Sequence, residues 1–181
     1  MSEYTMLRWI ILVPFLGMLF NGILALVEGE EPAPMAQSAW VGVLTAAVSF
    51  ALCCVSFWRL QTLPAEARFL SDTLAPWFSS GGLQVQISLR VDALSALFAL
   101  VLTGAATLLQ IFSMCFLHPQ DQPTRHFAHL SLLLTSALLL LLADNLLMFF
   151  MGWQGVGIAT YVLTGHWYHR YADGGAISNA G

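Results

Sequence analysis

Gln154 sits among three glycines in Met151-Gly-Trp-Gln-Gly-Val-Gly157, near the middle of an apolar stretch. Its amide can donate and accept hydrogen bonds at once but has no proton to release in the accessible pH range. Glycines let a neighbouring helix approach closely, and a polar amide at that depth needs either a partner on the neighbour or a water-filled path. Composition leaves packing and transport equally open. His129, His166 and His169 fall near the ends of apolar runs, where an imidazole more often anchors at the lipid boundary than shuttles protons. His166 and His169 share a helical face, but two histidines without a third ligand do not make a zinc site. Asn21, Gln110, Thr103, Thr107, Ser131, Thr135, Ser136, Thr160 and Tyr161 are among the other polar residues inside apolar runs. For the hydroxyls among them, a bond to the backbone of their own helix or a contact across helices is the expected role.

The sequence shows no glycine-rich phosphate loop, no paired-cysteine motif and no nucleophile elbow, so nothing in it makes a self-contained enzyme site. Cys53, Cys54 and Cys115 lie in apolar runs without metal-ligand spacing and read as small core residues. The basic residues are all arginines, at 8, 59, 68, 90, 125 and 170, against ten carboxylates for a net charge of -4. Six scattered arginines form neither the basic stripe that nucleic acid needs nor the polybasic segment that docks a peripheral protein on anionic lipid.

These groups are positioned by elements that dissolve in hydrocarbon. Of the 181 residues, 58% are hydrophobic and 9% are charged, whereas soluble domains carry about 25% charged residues. A bilayer core about 30 Å thick takes roughly 20 helical residues. Five runs of near that length are expected to span: residues 9–27, 39–58, 93–117, 127–143 and 146–168. Arg8 and Glu28 bracket the first, which reads as a retained helix and not a signal peptide, because the acidic, proline-broken segment at 28–34 follows it without a small-residue cleavage site. Trp40, Phe57 and Trp58 sit where aromatic rings favour the two interfaces. Pro119 and Pro123 are expected to stop the third run before a short polar loop ending in Arg125 and His126. Read as one helix, residues 127–168 would be about twice the bilayer thickness, so a tight turn at Asp144-Asn145 is expected to fold them into an antiparallel pair. Between the second and third runs, Leu83-Gln-Val-Gln-Ile-Ser-Leu-Arg-Val91 alternates apolar and polar after Gly81-Gly82, which predicts an extended or hairpin element on the membrane surface. The fold class is therefore an all-α polytopic transmembrane bundle with that short extended element, and residues 1–181 form a single membrane domain. Four arginines against two across the spans vote weakly for a cytoplasmic N-terminus.

Leu142-Ala-Asp-Asn-Leu-Leu-Met-Phe-Phe-Met-Gly-Trp-Gln-Gly-Val-Gly157, continued by Tyr161-Val-Leu-Thr-Gly-His-Trp-Tyr168, resembles the signature of the antiporter-like membrane subunit L (chain 5) of NADH-quinone oxidoreductase, respiratory complex I. Val91-Asp-Ala-Leu-Ser95 and Val13-Pro-Phe-Leu-Gly17 add to the likeness. It covers essentially the whole chain, but as the first third of such a subunit. The resemblance implies a proton-translocating membrane subunit that couples electron transfer to proton movement within a complex and does not pump alone. It implies no cofactor on this chain, with NADH and quinone held by other subunits. Its partners would be other membrane subunits and the lipid bilayer, with no nucleic acid, in the bacterial inner membrane. The proton-path candidates on this likeness are Gln154, Asp144, Tyr161 and His166. The family carries Glu where Gln154 stands, which would disable the residue expected to store the proton. The family's downstream Lys-bearing broken helix is not within the 181 residues, so the likeness reads as a piece of a longer subunit or a truncated paralogue. It also implies an outward N-terminus, against the arginine count. A structural or assembly paralogue, or the membrane subunit of a cation/proton antiporter, a hydrogenase or an inorganic-carbon uptake system, are the alternatives.

Overall fold

The structure is a computed structural model that describes residues 5–27, 35–64, 68–80, 83–117 and 122–178, with side chains described up to Gly165 except those of Met35 and residues 78–84. The acidic segment 28–34, Gly81-Gly82 and Pro119 lie outside the described residues, as do the side chains of His166 and His169.

Five helices, α1 (Met6–Val27), α2 (Met35–Thr62), α3 (Ala93–Phe116), α4 (Pro123–Leu142) and α5 (Leu146–Ser178), are joined by an antiparallel pair, β1 (Phe69–Ser80) and β2 (Leu83–Asp92), between α2 and α3. All five helices contain a stretch long and apolar enough to cross a bilayer. Helices satisfy every interior backbone group within the segment, which is the condition for lying in hydrocarbon. Among the described residues the molecule is therefore an all-helical membrane bundle carrying one small two-stranded element.

The alternation over residues 83–91 becomes β2, with Leu89 and Val91 buried on one face and Arg90 exposed on the other. Arg90 lies over the Phe69 ring, its guanidinium carbon 4.7 Å from the centroid. The register slips between Thr73 and Ala75 and again between Pro76 and Phe78, so the strand absorbs Pro76 at an irregularity, where a missing N–H breaks no ladder. Asp92 ends β2 and caps α3: its carboxylate accepts from Ser95 N at 2.7 Å, and Ser95 Oγ accepts from Asp92 N at 2.8 Å.

α4 is the centre of the bundle. Of its most apolar window 56% is buried, against 17% for α5, and it packs on α1, α2, α3 and α5. It starts a turn ahead of the apolar run that marked it. Pro123 takes the first helical position, where a missing N–H costs nothing, and Gln122 before it adopts φ 48°. The consequence is a correction: His126 is not in a polar loop but buried inside the bundle.

Two polar ties hold the hairpin to the bundle. Arg8 on α1 and Asp72 on β1 form an ion pair, with Nη2 2.7 Å from Oδ1 and Nε 2.9 Å from Oδ2, and Asp72 is fully buried. Asp72 also accepts from the Arg8 backbone N–H at 3.3 Å. At the other tie, the α4–α5 turn lies along β2: Ala143 bridges Leu89, Asp144 N donates to Ser88 O at 3.3 Å and Asn145 Nδ2 donates to Gln86 O at 2.7 Å. These contacts put the start of α1, the hairpin and the α4–α5 turn at one end of the bundle.

Candidate functional site: the outer face of α5

The three glycines around Gln154 do not serve one purpose. Gly152 and Gly155 lie against α4. A Cβ built on Gly152 would be 2.6 Å from Leu140 Cα and in still closer conflict with its backbone nitrogen, and one on Gly155 would be 2.5 Å from Ser136 Oγ. These two admit α4 to backbone contact, as small residues do in membrane packing. Met148 and Ala159 are buried on the same face. Gly157 has nothing within 4 Å of a built Cβ. At 100° per residue, Gln154 points away from the line through Met148, Gly152, Gly155 and Ala159, and it is exposed. The close approach and the amide thus belong to opposite sides of one helix.

Tyr161 stands two turns beyond Gln154 on the same outer face, 81% exposed, about 10 Å along the axis. Phe150, Trp153 and Ile158 are exposed around them. Asp144 is elsewhere: it sits in the turn before α5 at the hairpin end, exposed, and accepts from Ser88 Oγ at 3.1 Å. Its neighbour Asn145 caps α5, with Oδ1 accepting from Met148 N at 2.9 Å. His166 belongs to α5 by backbone, its side chain lying outside the described residues. The four candidates are strung along one helix and its leading turn and are not gathered into a pocket. Gln154 and Tyr161 are the pair that shares a face.

Beside the turn, an open groove of about 910 Å³ runs between β2 and the start of α5, lined by Gln86, Ser88, Asp144, Asn145, Phe149 and Trp153 among others.

The hydroxyls behave as membrane hydroxyls do. Thr45, Ser56, Thr103, Thr107, Thr135 and Thr160 each donate to the carbonyl four residues earlier. Ser49 instead crosses from α2 to Ile10 O on α1 at 2.8 Å. Of the cysteines, Cys53 is buried, whereas Cys54 and Cys115 face outward.

Residues 77–128 match the family described as the N-terminus of chain 5 of NADH-ubiquinone oxidoreductase, complex I. Similarity to proteins named NADH-quinone oxidoreductase subunit L extends further. The Rhodobacter capsulatus protein is 32% identical over 178 residues, 94% of this chain and 24% of the relative. The Escherichia coli protein is 30% identical over 175 residues, 97% of this chain and 27% of the relative. The Mycobacterium tuberculosis protein is 38% identical over 113 residues, 62% of this chain and 18% of the relative. The chain belongs to the subunit L family. It spans about a quarter or less of the length of these relatives. With five spanning helices and bacterial subunit L relatives, it is a multi-pass protein of the bacterial inner membrane.

The ties that sequence reasoning did not find are long-range: Arg8 to Asp72, Asn21 to Ser38 and Ser113 to His126. Of these residues the acid at 72 carried a signal, since it is the one charged residue of β1 and needs a cation if it is buried.

Proposed function

We propose that this chain forms the first helices of a subunit L-type membrane subunit, packed among other membrane subunits of an NADH-quinone oxidoreductase complex and contributing the outer face of α5 to its proton path. The observation that carries this is Gln154. It lies mid-span, exposed, on the face turned from α4. An amide facing lipid there would leave its polar atoms unsatisfied at a cost of several kcal/mol, so a protein or water partner beyond these five helices belongs against it.

What this face does chemically follows from the amide. Gln154 can orient water by donating from Nε2 and accepting at Oε1, but it cannot store a proton. Tyr161 can extend the same chain of hydrogen bonds toward the other end of α5. Asp144, at the hairpin end, would exchange protons with water at the membrane boundary. No electron-transfer chemistry falls to this chain: NADH and quinone act on other subunits. By itself the bundle is not expected to pump, because no Lys, Arg, Asp or Glu lies in the middle of its spans to relay charge.

The test is proton pumping per NADH oxidised in inverted membrane vesicles containing the assembled complex, comparing Gln154→Leu with the parent. A fall in pumping with NADH oxidation and assembly intact supports the path role. Unchanged pumping overturns it, and favours packing as the role of the amide.

A further inference from the structure

Away from α5, a second set of polar groups is buried where α1 ends, α2 begins, α3 ends and α4 begins. Gln110 on α3 is 1% exposed, and neither its Oε1 nor its Nε2 has a hydrogen-bond partner among the described residues. Asn21 on α1 is fully buried; its Nδ2 donates to Ser38 O at 3.1 Å, leaving Oδ1 unpartnered. Ser131 on α4 is fully buried with an unpartnered Oγ. Two of them meet one turn of α2, Asn21 at Ser38 and Gln110 at Gly42. Ser38 and Gly42 are one turn apart, and a Cβ on Gly42 would lie 2.6 Å from Gln110 Oε1 and 3.0 Å from Phe127 Cδ1. Ser131 is one turn from Phe127 on α4. Gln110 lies about 10 Å in from the end of α3, inside the hydrocarbon layer.

Unpartnered amide atoms at that depth cost several kcal/mol, and a chain that keeps three such residues together satisfies them from a shared source. The chemistry of the source is narrow. Gln110 Nε2 must donate to it, so a metal cation is excluded. Gln110 Oε1 and Asn21 Oδ1 must accept from it, so a plain anion is excluded. A group that both donates and accepts, with two to four polar partners, is water. We propose that Gln110, Asn21 and Ser131 enclose an internal water site between α1, α2, α3 and α4, with Gly42 providing the space and Phe127 forming one wall. The site ties four helices through a shared solvent molecule. Ser113 and His126, whose Oγ and Nε2 are 3.1 Å apart, lie beside it, toward the end of the bundle that carries the α1–α2 connection.

The experiment is pulsed radiolysis of the chain in lipid nanodiscs in ¹⁸O-labelled water, read by mass spectrometry. Hydroxyl radicals made at a bound water label the side chain next to it. Phe127 and Leu138 are both fully buried on α4, and only Phe127 touches the proposed site. The expected result is labelling of Phe127 at least tenfold above Leu138, falling to the Leu138 level in Gln110→Leu. Phe127 as silent as Leu138 in the parent overturns the proposal, as does labelling that persists unchanged in Gln110→Leu. Should the variant not fold, the parent ratio alone decides between a wet and a dry site.

Discussion

Replacing Gly152 and Gly157 separately by Ala separates helix contact from helix propensity on α5. Both changes remove a glycine from a helix interior, so both gain about the same propensity, up to roughly 1 kcal/mol. They differ in what the new methyl meets. At Gly157 it meets nothing within 4 Å; at Gly152 it runs into the backbone of Leu140, whose Cα would be 2.6 Å away and whose backbone cannot swing aside as a side-chain tip does. Overpacking of that kind costs about 1–3 kcal/mol. Because the propensity gain cancels in the comparison, Gly152→Ala is expected to be less stable than Gly157→Ala by about 1–3 kcal/mol. At about 2–4 °C per kcal/mol for a chain of this size, that is a difference of several degrees in Tm. Thermal unfolding in mild detergent, followed by circular dichroism at matched lipid content, measures it. A Gly157→Ala protein as unstable as Gly152→Ala would refute the assignment of α4 to the Gly152 side of α5, and with it the outward direction of Gln154.

Other consequences can be checked alongside. Asp72→Ala removes the ion pair with Arg8 that ties α1 to the hairpin; loss of about 3 kcal/mol is expected, and a double-mutant cycle with Arg8→Met should recover part of it. Ser49→Ala deletes the cross-helix bond to Ile10 O and should cost about 0.6 kcal/mol in the same unfolding assay. The Ser95 backbone N–H and hydroxyl hold the Asp92 carboxyl below its ordinary value. The folded state therefore favours the carboxylate, so the stabilisation from this cap is present above the ordinary Asp range and lost as pH falls through the lowered value. Asp92→Asn should match the parent in the acid limit and fall short of it at neutral pH, seen as a pH-dependent gap in Tm.

The spans, the hairpin and the turn at Asp144-Asn145 were legible because each rests on a local pattern: uncharged length, alternation after Gly81-Gly82, two polar residues inside an overlong apolar run. The Asp92 cap was not read from the sequence, although its donor and acceptor are only three residues apart. What escaped was set by packing. Gly152, Gly155 and Gly157 look equivalent in sequence, and only the position of α4 separates two contact glycines from one on open surface. His126 read as loop because prolines suggested an ending, whereas Pro123 begins a helix and carries the imidazole inward. The Arg8–Asp72 pair joins residues 64 apart in sequence, and no periodicity records such a distance. Gln110 and Asn21 were visible as polar residues in apolar runs, but nothing in their spacing told that Asn21 reaches Ser38 and Gln110 reaches Gly42, one turn apart on α2.

The most direct test of the chain's place in a respiratory-type complex is native gel electrophoresis of membranes from cells carrying an affinity tag on this chain at its own locus. The tag is expected in a high-mass band that stains for NADH oxidation and contains other membrane subunits. A tag confined to a low-mass band without that activity, in membranes where the oxidoreductase itself is intact, would contradict it.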